Sequence, residues 1–237
     1  MSALGIGGEQ LWLCPTLDNA GAGTTTVNNL GNPAINNGLL SSSALWVNDG
    51  DNRYINISAV GQLIVGHSAG LAIPNTYTFG AWVWRASFGH NFVYCAKDSD
   101  SPRVLPMISS SVGGIYTQRS TTTNQFQGAG SVPALSNSVW HHVMFRLVNT
   151  SGNNFAFTAF LDGVSVQSGT FTGTLADTIS PLRFSALSGA TPQSHRLDDY
   201  RLFYRGLSNA EVALLASRRG YQPLSSRRRR ELSGAGL

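Results

Sequence analysis

The segment Trp140–Gly169 constrains the fold more than any other part of the chain. Two runs rich in β-branched and aromatic residues, Trp140–Leu147 and Phe155–Leu161, are separated by a turn of small polar residues. The dipeptide Asp162-Gly163 then leads into a third run. Asp-Gly favours a two-residue hairpin turn, because both turn positions need positive φ. The segment therefore predicts three consecutive antiparallel strands.

The rest of the chain extends this pattern and contains a single helical signal. Tyr77–Trp84 carries apolar side chains on both faces, which is typical of a central strand in a sandwich. Ser208, followed three residues later by Glu211, forms a capping box and predicts a short helix near 208–217. Only 12% of the residues are charged, which excludes a coiled coil or a charged helical bundle. We predict an all-β fold of two antiparallel sheets with one short C-terminal helix.

Charge divides the chain into a nearly neutral body and a basic end. Six of the 16 basic residues but one of the 12 acidic residues follow Ser217, so the body carries a net charge of −1. We predict a sandwich domain over 1–221 and a basic, flexible tail over 222–237. The four adjacent arginines suit contact with nucleic acid or docking on an acidic partner surface, whereas the serines and glycines around them suit a solvated tail. We favour the partner protein and the solvated tail over nucleic acid. The candidate docking residues are Arg227, Arg228, Arg229 and Arg230.

Three segments in order resemble one protein family. They are Tyr77–Arg85 (YTFGAWVWR), Ser138–Gly169 with its WHHV strand and Leu-Asp-Gly turn, and Leu197–Ser208 before the helix. Together they resemble laminin-G-like domains of the concanavalin A-like lectin/glucanase superfamily, which implies a jelly-roll sandwich. The ending Leu214–Tyr221 is similar to endings of laminin-G-like proteins from tailed phages and aquatic bacteria, which implies a virion component.

The carboxylates do not form the pair that a glycosidase needs. The superfamily's glucanases carry a Glu-x-Asp-x-x-Glu strand, and glycoside hydrolysis usually requires two carboxylates about 5 to 10 Å apart. This chain has only Glu9, Glu211 and Glu231, and none lies beside another carboxylate on a predicted strand. His141 and His142 are neighbours on a strand and point to opposite faces, so they do not chelate one ion. We predict a protein that is not an enzyme and has no catalytic residues.

Two acidic doublets form the candidate metal site. Ca²⁺ takes several oxygen ligands, which loop carboxylates and carbonyls supply, and many members of the superfamily bind it. The same residues have ordinary structural uses, because residues 48–52 read as a turn and the second doublet suits backbone capping or an ion pair with Arg201. Both interpretations stay open, and no other cofactor is expected. The candidate ligands are Asp49, Asp51, Asp198 and Asp199.

The tryptophans supply the candidate ligand site. Large aromatic side chains usually fill the core of a sandwich, and we assign four of the five to it. These four are Trp12, Trp82, Trp84 and Trp140. Trp46 is the exception, because it precedes the polar turn and is placed to stack on a sugar ring. The candidate ligand-binding residues are Trp46, Asn48, Asp49 and Asp51.

Cysteine usage and the N-terminus bear on where the protein resides. Cys14 and Cys95 make no disulfide framework, and we expect both to be free and buried. Met1–Glu9 lacks the features of a secretory signal, and no apolar run is long enough to span a membrane. We therefore expect either assembly in a cytoplasm or a processed form of the sequence, and no membrane partner.

These observations favour a non-enzymatic virion structural protein, a capsid decoration or tail-associated subunit assembled in the host cytoplasm. Its expected partners are other virion proteins or copies of itself. The alternative is a carbohydrate-binding lectin or adhesion module, which binds a glycan through loop residues and is located outside the cell or at its surface.

Overall fold

The computed structural model describes most of the chain. It covers residues 6–18, 25–41, 44–49, 52–57, 61–85, 92–98, 103–111, 114–119, 127–132, 135–175, 179–184, 195–217 and 219. For residues 85, 92–98, 103–111, 114–119 and 127–132 only the backbone is described.

The described residues form sixteen β-strands and one α-helix, α1 (Asn209–Ala216). The strands are β1 (Glu9–Leu13), β2 (Thr26–Val27), β3 (Gly38–Leu40), β4 (Ala44–Asp49), β5 (Asn52–Ile57), β6 (Leu63–Val65), β7 (Tyr77–Arg85), β8 (Phe92–Asp98), β9 (Arg103–Ser111), β10 (Gly114–Arg119), β11 (Gln127–Val132), β12 (Trp140–Ser151), β13 (Asn154–Leu161), β14 (Val164–Thr172), β15 (Leu182–Phe184) and β16 (His195–Phe203). A single 3-10 turn, which the sequence did not predict, spans Ala69–Leu71.

Two eight-stranded antiparallel sheets form the sandwich, as predicted. Sheet A has the order β14-β13-β12-β7-β16-β5-β4, and β1 pairs with the second half of β16. Sheet B has the order β11-β10-β9-β8-β15-β6-β3-β2. Half of the neighbouring strand pairs are consecutive in sequence, and the other half, such as β7 with β16 and β8 with β15, join distant parts of the chain. The chain therefore passes repeatedly from one sheet to the other, as in a jelly roll.

The main core lies between the two sheets. Every second residue of the central strands of sheet A points into it, which leaves the intervening residues on the opposite, outer face. Sheet B contributes the facing layer. The inward residues of β7, β12 and β16 are Tyr77, Phe79, Ala81, Val83, Val143, Phe145, Leu147, Leu197, Tyr200 and Leu202.

A second apolar cluster lies on the outer face of sheet A. Helix α1 supplies Val212 and Leu215, so the helix covers this part of the sheet. The predicted capping box is confirmed, since the Glu211 backbone N–H donates to the Ser208 hydroxyl and the Ser208 N–H donates to the Glu211 carboxylate. The sheet and loop residues of this cluster are Met144, Phe160, Phe203 and Leu207, with Ile6 packed against them.

The predicted hairpin turn joins β13 to β14. Asp162 and Gly163 have φ of 50° and 84°, the positive values that a two-residue turn of this kind needs. The turn rests against α1, because a Cβ built at Gly163 would lie 3.0 Å from Ala213 Cα and 3.0 Å from Ala216 Cβ. At the opposite end of β13, Gly152 has φ of 53° and a Cβ there would meet nothing within 4 Å.

Cys14 is buried and free, as predicted. Burial raises the pKa of its thiol well above the ordinary value, and the nearby carboxylates of Asp199 and Asp198 add to this effect. The thiol is therefore uncharged at neutral pH and packs as a small apolar group. The side chain of Cys95 lies outside the part of the chain described at side-chain level.

Candidate functional site

Aromatic and polar side chains are aligned on the outer face of sheet A, away from α1. Trp140 of β12 lies opposite Trp84 of β7, Trp84 lies opposite Arg196 of β16, and Arg196 lies opposite Asn56 of β5. All four residues are half-buried and lie on one face, because directly paired residues project to the same side of a sheet. We refer to these four residues as the aromatic row.

Cation–π stacking organises the aromatic row. The Arg196 guanidinium carbon lies 3.7 Å from the centroid of the Trp84 ring and 5.0 Å from that of the Tyr54 ring. Such stacks contribute roughly 0.5–1 kcal/mol each at exposed sites. Arg196 is therefore held between two rings, and the row presents a fixed surface to solvent.

The rings of Tyr54 and Trp140 meet across the sheet. Tyr54 of β5 and Trp140 of β12 are separated by two strands, and three strand spacings amount to about 14 Å. Their ring centroids are nevertheless only 5.5 Å apart, at an interplanar angle of 64°. The two side chains must lean toward each other above β7 and β16. We call the space that they cover the groove.

The assignment of Trp82, Trp84 and Trp140 to the core is wrong. All three are half-buried on the outer face, whereas Ala81 and Val83 take the inward positions of β7. Alternation distinguishes two faces of a strand but does not say which face is inward when both carry apolar residues. Trp12 is buried as predicted, with 8% of its surface exposed.

Asp198 lies at the floor of the groove. It is paired with Trp82 across β16 and β7, and its side chain has no exposed surface. Apart from an interaction with the Asp199 backbone N–H that acts to lower its pKa, the carboxylate has no well-formed hydrogen bond to a described residue, and the Trp82 indole N–H also lacks one. Burial, reinforced by the charge of Asp199, raises the pKa of Asp198 well above its ordinary value against the opposing effect of Arg219. Asp198 is thus an incompletely satisfied polar group under the aromatic rings.

Asp199, its neighbour, is fully engaged elsewhere. The pairing of β16 with β7 shifts between Asp198 and Arg201, and Asp199 has φ of 50°. Its carboxylate accepts the Trp12 indole N–H at 2.6 Å and two hydrogen bonds from Arg201, at 2.9 and 3.0 Å. Arg201 also donates to Glu9 at 3.1 Å and stacks over Trp12 at 4.3 Å. This buried network ties β1 to β16.

Arg219 closes the groove. It lies two residues beyond Ser217, the C-cap of α1. Its guanidinium carbon lies 4.2 Å from the centroid of the Trp140 ring. It forms an ion pair with Asp49, at the end of β4, and its Nη1 lies 3.9 Å from the Asp198 carboxylate. Only 16% of the Arg219 side chain is exposed. One side chain therefore bridges the two sides of the groove.

The histidine pair divides as predicted. The His141 ring hydrogen-bonds to the Asp162 carboxylate at 2.8 Å, while His142 packs against Trp82 at a ring distance of 5.3 Å. His142 is 3% exposed, and burial lowers its pKa to about 4. It is therefore neutral at pH 7 and belongs to the floor of the groove.

The structure separates the residues that the sequence grouped as ligand candidates. Trp46 packs against the core between the sheets, so it lies on the opposite face of β4 from Asp49, and Asn48 is exposed. Asp51 and the arginine run (Arg227, Arg228, Arg229 and Arg230) lie outside the described residues.

Two of the four predicted Ca²⁺ ligands, Asp49 and Asp198, lie close together. The group between them is the guanidinium of Arg219. Asp199 is bound to Arg201 instead. Within the described ranges no three or more His, Cys, Asp or Glu side chains are grouped as a metal site. Sequence reasoning missed Tyr54, Arg196 and Arg219; the tryptophans of β7, which share a face with polar Thr78, were the available signal.

The sequence matches the concanavalin A-like lectin/glucanases superfamily over residues 44–213. The match spans more than half of the chain, so the protein belongs to this superfamily. Among curated protein sequences, none is similar enough to count as a relative.

Solved structures share the fold at low sequence identity. The binding domain of Paraclostridial Mosquitocidal Protein 1 has a TM-score of 0.67 and 17% identity, and the receptor binding domain of botulinum neurotoxin type G has 0.65 and 10%. The alignments cover 88% and 89% of this chain but only 52% and 51% of those chains, about half their length. Domain 4 of an extracellular arabinanase from Geobacillus stearothermophilus, in complex with arabinotriose, has a TM-score of 0.66 and 15% identity, with 88% and 98% coverage.

In the part of the chain that is described, no helix has the length and apolar character required to span a membrane.

Proposed function

We propose that the protein is a non-catalytic glycan-binding module whose binding surface is the groove and its aromatic row. The observation that carries this proposal is the placement of Trp84 and Trp140, half-exposed and aligned on an outer sheet face. A guanidinium stacks on each ring, Arg196 on Trp84 and Arg219 on Trp140, so a sugar ring would stack where one of these arginines is displaced. Asn56 and Asp198 add the polar groups that orient a ligand.

The solved structures with this fold support the same class of function. Two of them are binding or receptor binding domains, and the third is a domain solved in complex with arabinotriose. The carboxylates argue against hydrolysis here. Among the described residues, Asp49 and Asp198 are the carboxylates that flank Arg219, and its guanidinium lies between them, where a scissile bond would have to sit.

The test is a defined panel of neutral and acidic oligosaccharides, arabinotriose and sialyllactose among them, measured by isothermal titration calorimetry. Trp84→Ala and Trp140→Ala each remove a stacking face and are expected to weaken binding by about tenfold or more. Val164→Ala is the matched control, because Val164 is 65% exposed on the distant edge strand β14. Wild-type affinity in both tryptophan variants would overturn the assignment of the groove.

We propose, as a second function, a structural subunit of a virion, assembled with copies of itself or other virion proteins. Edge strand β14 favours this role, because Val164–Thr172 contains no charged residue and its first five residues are exposed. Uncharged, exposed edge strands readily pair with another strand. The arginines at 227–230 would then dock on the neighbouring subunit.

Sedimentation velocity tests this role. The wild-type chain is expected to associate with rising concentration, and Val166→Lys on β14 to remain monomeric. Removal of residues 222–237 is expected to weaken association in a salt-dependent way while leaving the melting temperature within a few degrees. If the chain stays monomeric at all concentrations and never co-sediments with virion particles, the structural role in a virion is excluded.

A further inference from the structure

Arg219 is bound in the way that a guanidinium ligand is bound. Its planar group lies over the face of Trp140 at 4.2 Å, and two carboxylates, Asp49 and Asp198, flank it. An aromatic face combined with carboxylates is the usual recognition chemistry for a guanidinium. The chain therefore places one of its own side chains in a binding pocket.

The pocket is not fully satisfied by this occupant. The Asp198 side chain is wholly buried, yet apart from the interaction with the Asp199 backbone N–H its oxygens have no well-formed hydrogen bond to a described residue. The Nη1 atom of Arg219 is also buried without a hydrogen-bond partner among those residues, and its 3.9 Å separation from Asp198 is too long for a hydrogen bond. A ligand able to approach Asp198 more closely would complete hydrogen bonds that Arg219 leaves unmade.

The contacts of Arg219 lie outside the apolar cluster that α1 covers. Helix α1 ends at Ala216, and its buried residues Val212 and Leu215 lie before the segment that carries Arg219. Asp49 is 44% exposed, so water partly screens its ion pair with Arg219. Release of Arg219 therefore leaves the apolar cluster under α1 intact and uncovers Trp140 and Asp198.

We propose that Trp140, Asp49 and Asp198 form a pocket for a guanidinium group, that Arg219 fills it as an intramolecular ligand, and that the groove opens to an external ligand when Arg219 is displaced. The last part rests on the proposed glycan-binding function. The first two parts stand on the contacts of Arg219 alone.

The pocket is tested with ethylguanidinium as a free probe, detected by saturation-transfer NMR. Arg219→Ala is expected to bind the probe at millimolar concentration, whereas the wild-type chain and the double variant R219A/W140A are expected to show no transfer. Arg205→Ala is the matched control, because Arg205 also lies over an aromatic ring, Phe203, and pairs with a carboxylate, Glu211. It is expected to behave as wild type. Failure of R219A to bind ethylguanidinium would overturn the pocket.

The opening of the groove is tested by titrating the oligosaccharide panel into the same proteins. Arg219→Ala is expected to bind its best glycan about five- to tenfold more tightly than wild type, and Arg205→Ala equally to wild type. Equal affinities in R219A and wild type would overturn the gating while leaving the glycan function in place. If neither protein binds any glycan, the proposed function fails, and the probe experiment alone decides whether the guanidinium pocket exists.

Discussion

The outer face of sheet A has two halves, in which large apolar side chains are shielded from water in different ways. Under α1, Met144, Phe160 and Phe203 are covered by apolar helix residues. In the groove, Trp84 and Trp140 stay half-buried and are covered by Arg196, Arg219 and Tyr54 instead of a helix. The first half is completed by apolar burial, which stabilises the fold, whereas the second is closed by contacts that water or a ligand can replace.

The two aspartates of β16 repeat this contrast at atomic scale. Asp199 receives hydrogen bonds from Trp12 and Arg201, so its buried charge is compensated. Asp198, one residue earlier, is buried without comparable partners. A buried carboxylate that lacks comparable hydrogen bonds, beside one that is fully hydrogen-bonded, is typical of a functional site and not of a structural one.

The largest expected loss of stability comes from truncating a side chain in the helix-covered half. Phe203→Ala removes a fully buried ring and is expected to lower the free energy of unfolding by about 3–5 kcal/mol. Trp140→Ala, in the groove, is expected to cost only about 1 to 2 kcal/mol, since its ring is partly solvated. Urea denaturation of both variants checks the comparison. Equal losses would mean that the groove is part of the core.

The two arginine contacts give the next comparison. Arg201→Ala strands the buried carboxylates of Glu9 and Asp199, and removal of one partner of a buried pair costs about 3–5 kcal/mol. Arg219→Ala is expected to change stability by about 1 kcal/mol or less. Thermal denaturation of the two variants measures the difference. A loss in R219A as large as that in R201A would show that Arg219 is structural.

Lowering the pH is expected to destabilise the folded protein through protonation of His142 at the floor of the groove. The folded-state pKa of His142 is about 4, below the unfolded value of about 6.5, so the native protein binds fewer protons in this range. Stability is therefore lost as pH falls from about 6.5 to about 4, by about 2 to 3 kcal/mol from this group. Urea denaturation at pH 7.5 and 4.5 should show a smaller acid loss in His142→Gln than in wild type, with exposed His67→Gln as the control.

The smallest expected change in stability is a gain, from a substitution of Asp198. The pKa of Asp198 is raised by burial, so its charge disfavours the native state at neutral pH. Asp198→Asn keeps the shape and removes the charge, and it is expected to stabilise the fold by about 1 kcal/mol while weakening ligand binding. Calorimetric melting at pH 7 measures the shift, and Asp199→Asn is expected to destabilise. A lower melting temperature in D198N would mean that pairing with Arg219 outweighs the burial of the charge.

The fold was predictable because local signals carry it. The capping box at Ser208 and the Asp162-Gly163 turn depend on neighbours within a few residues, and strand alternation depends on residues two apart. Each of these is written directly in the sequence, and the three motifs in order indicated the family.

The groove was not predictable in the same way, because it depends on register. Trp84 meets Arg196 across more than a hundred residues of chain, and a one-residue shift of β16 would send Arg196 to the other face. The two aspartates differ because the pairing shifts between Asp198 and Arg201. Charge counting also grouped Arg219 with the basic end of the chain, although its contacts belong to the groove.

The hairpin turn at Asp162-Gly163 has a consequence for anyone who wishes to attach something to this protein. Two-residue turns between strands are commonly chosen as insertion sites. Here the turn abuts α1, so inserted residues would press on Ala213 and Ala216 and displace the helix that leads to Arg219. At the turn at the far end of β13, a side chain added at Gly152 would meet nothing within 4 Å. A fluorophore, tag or displayed peptide belongs there, where it leaves the groove in its native state.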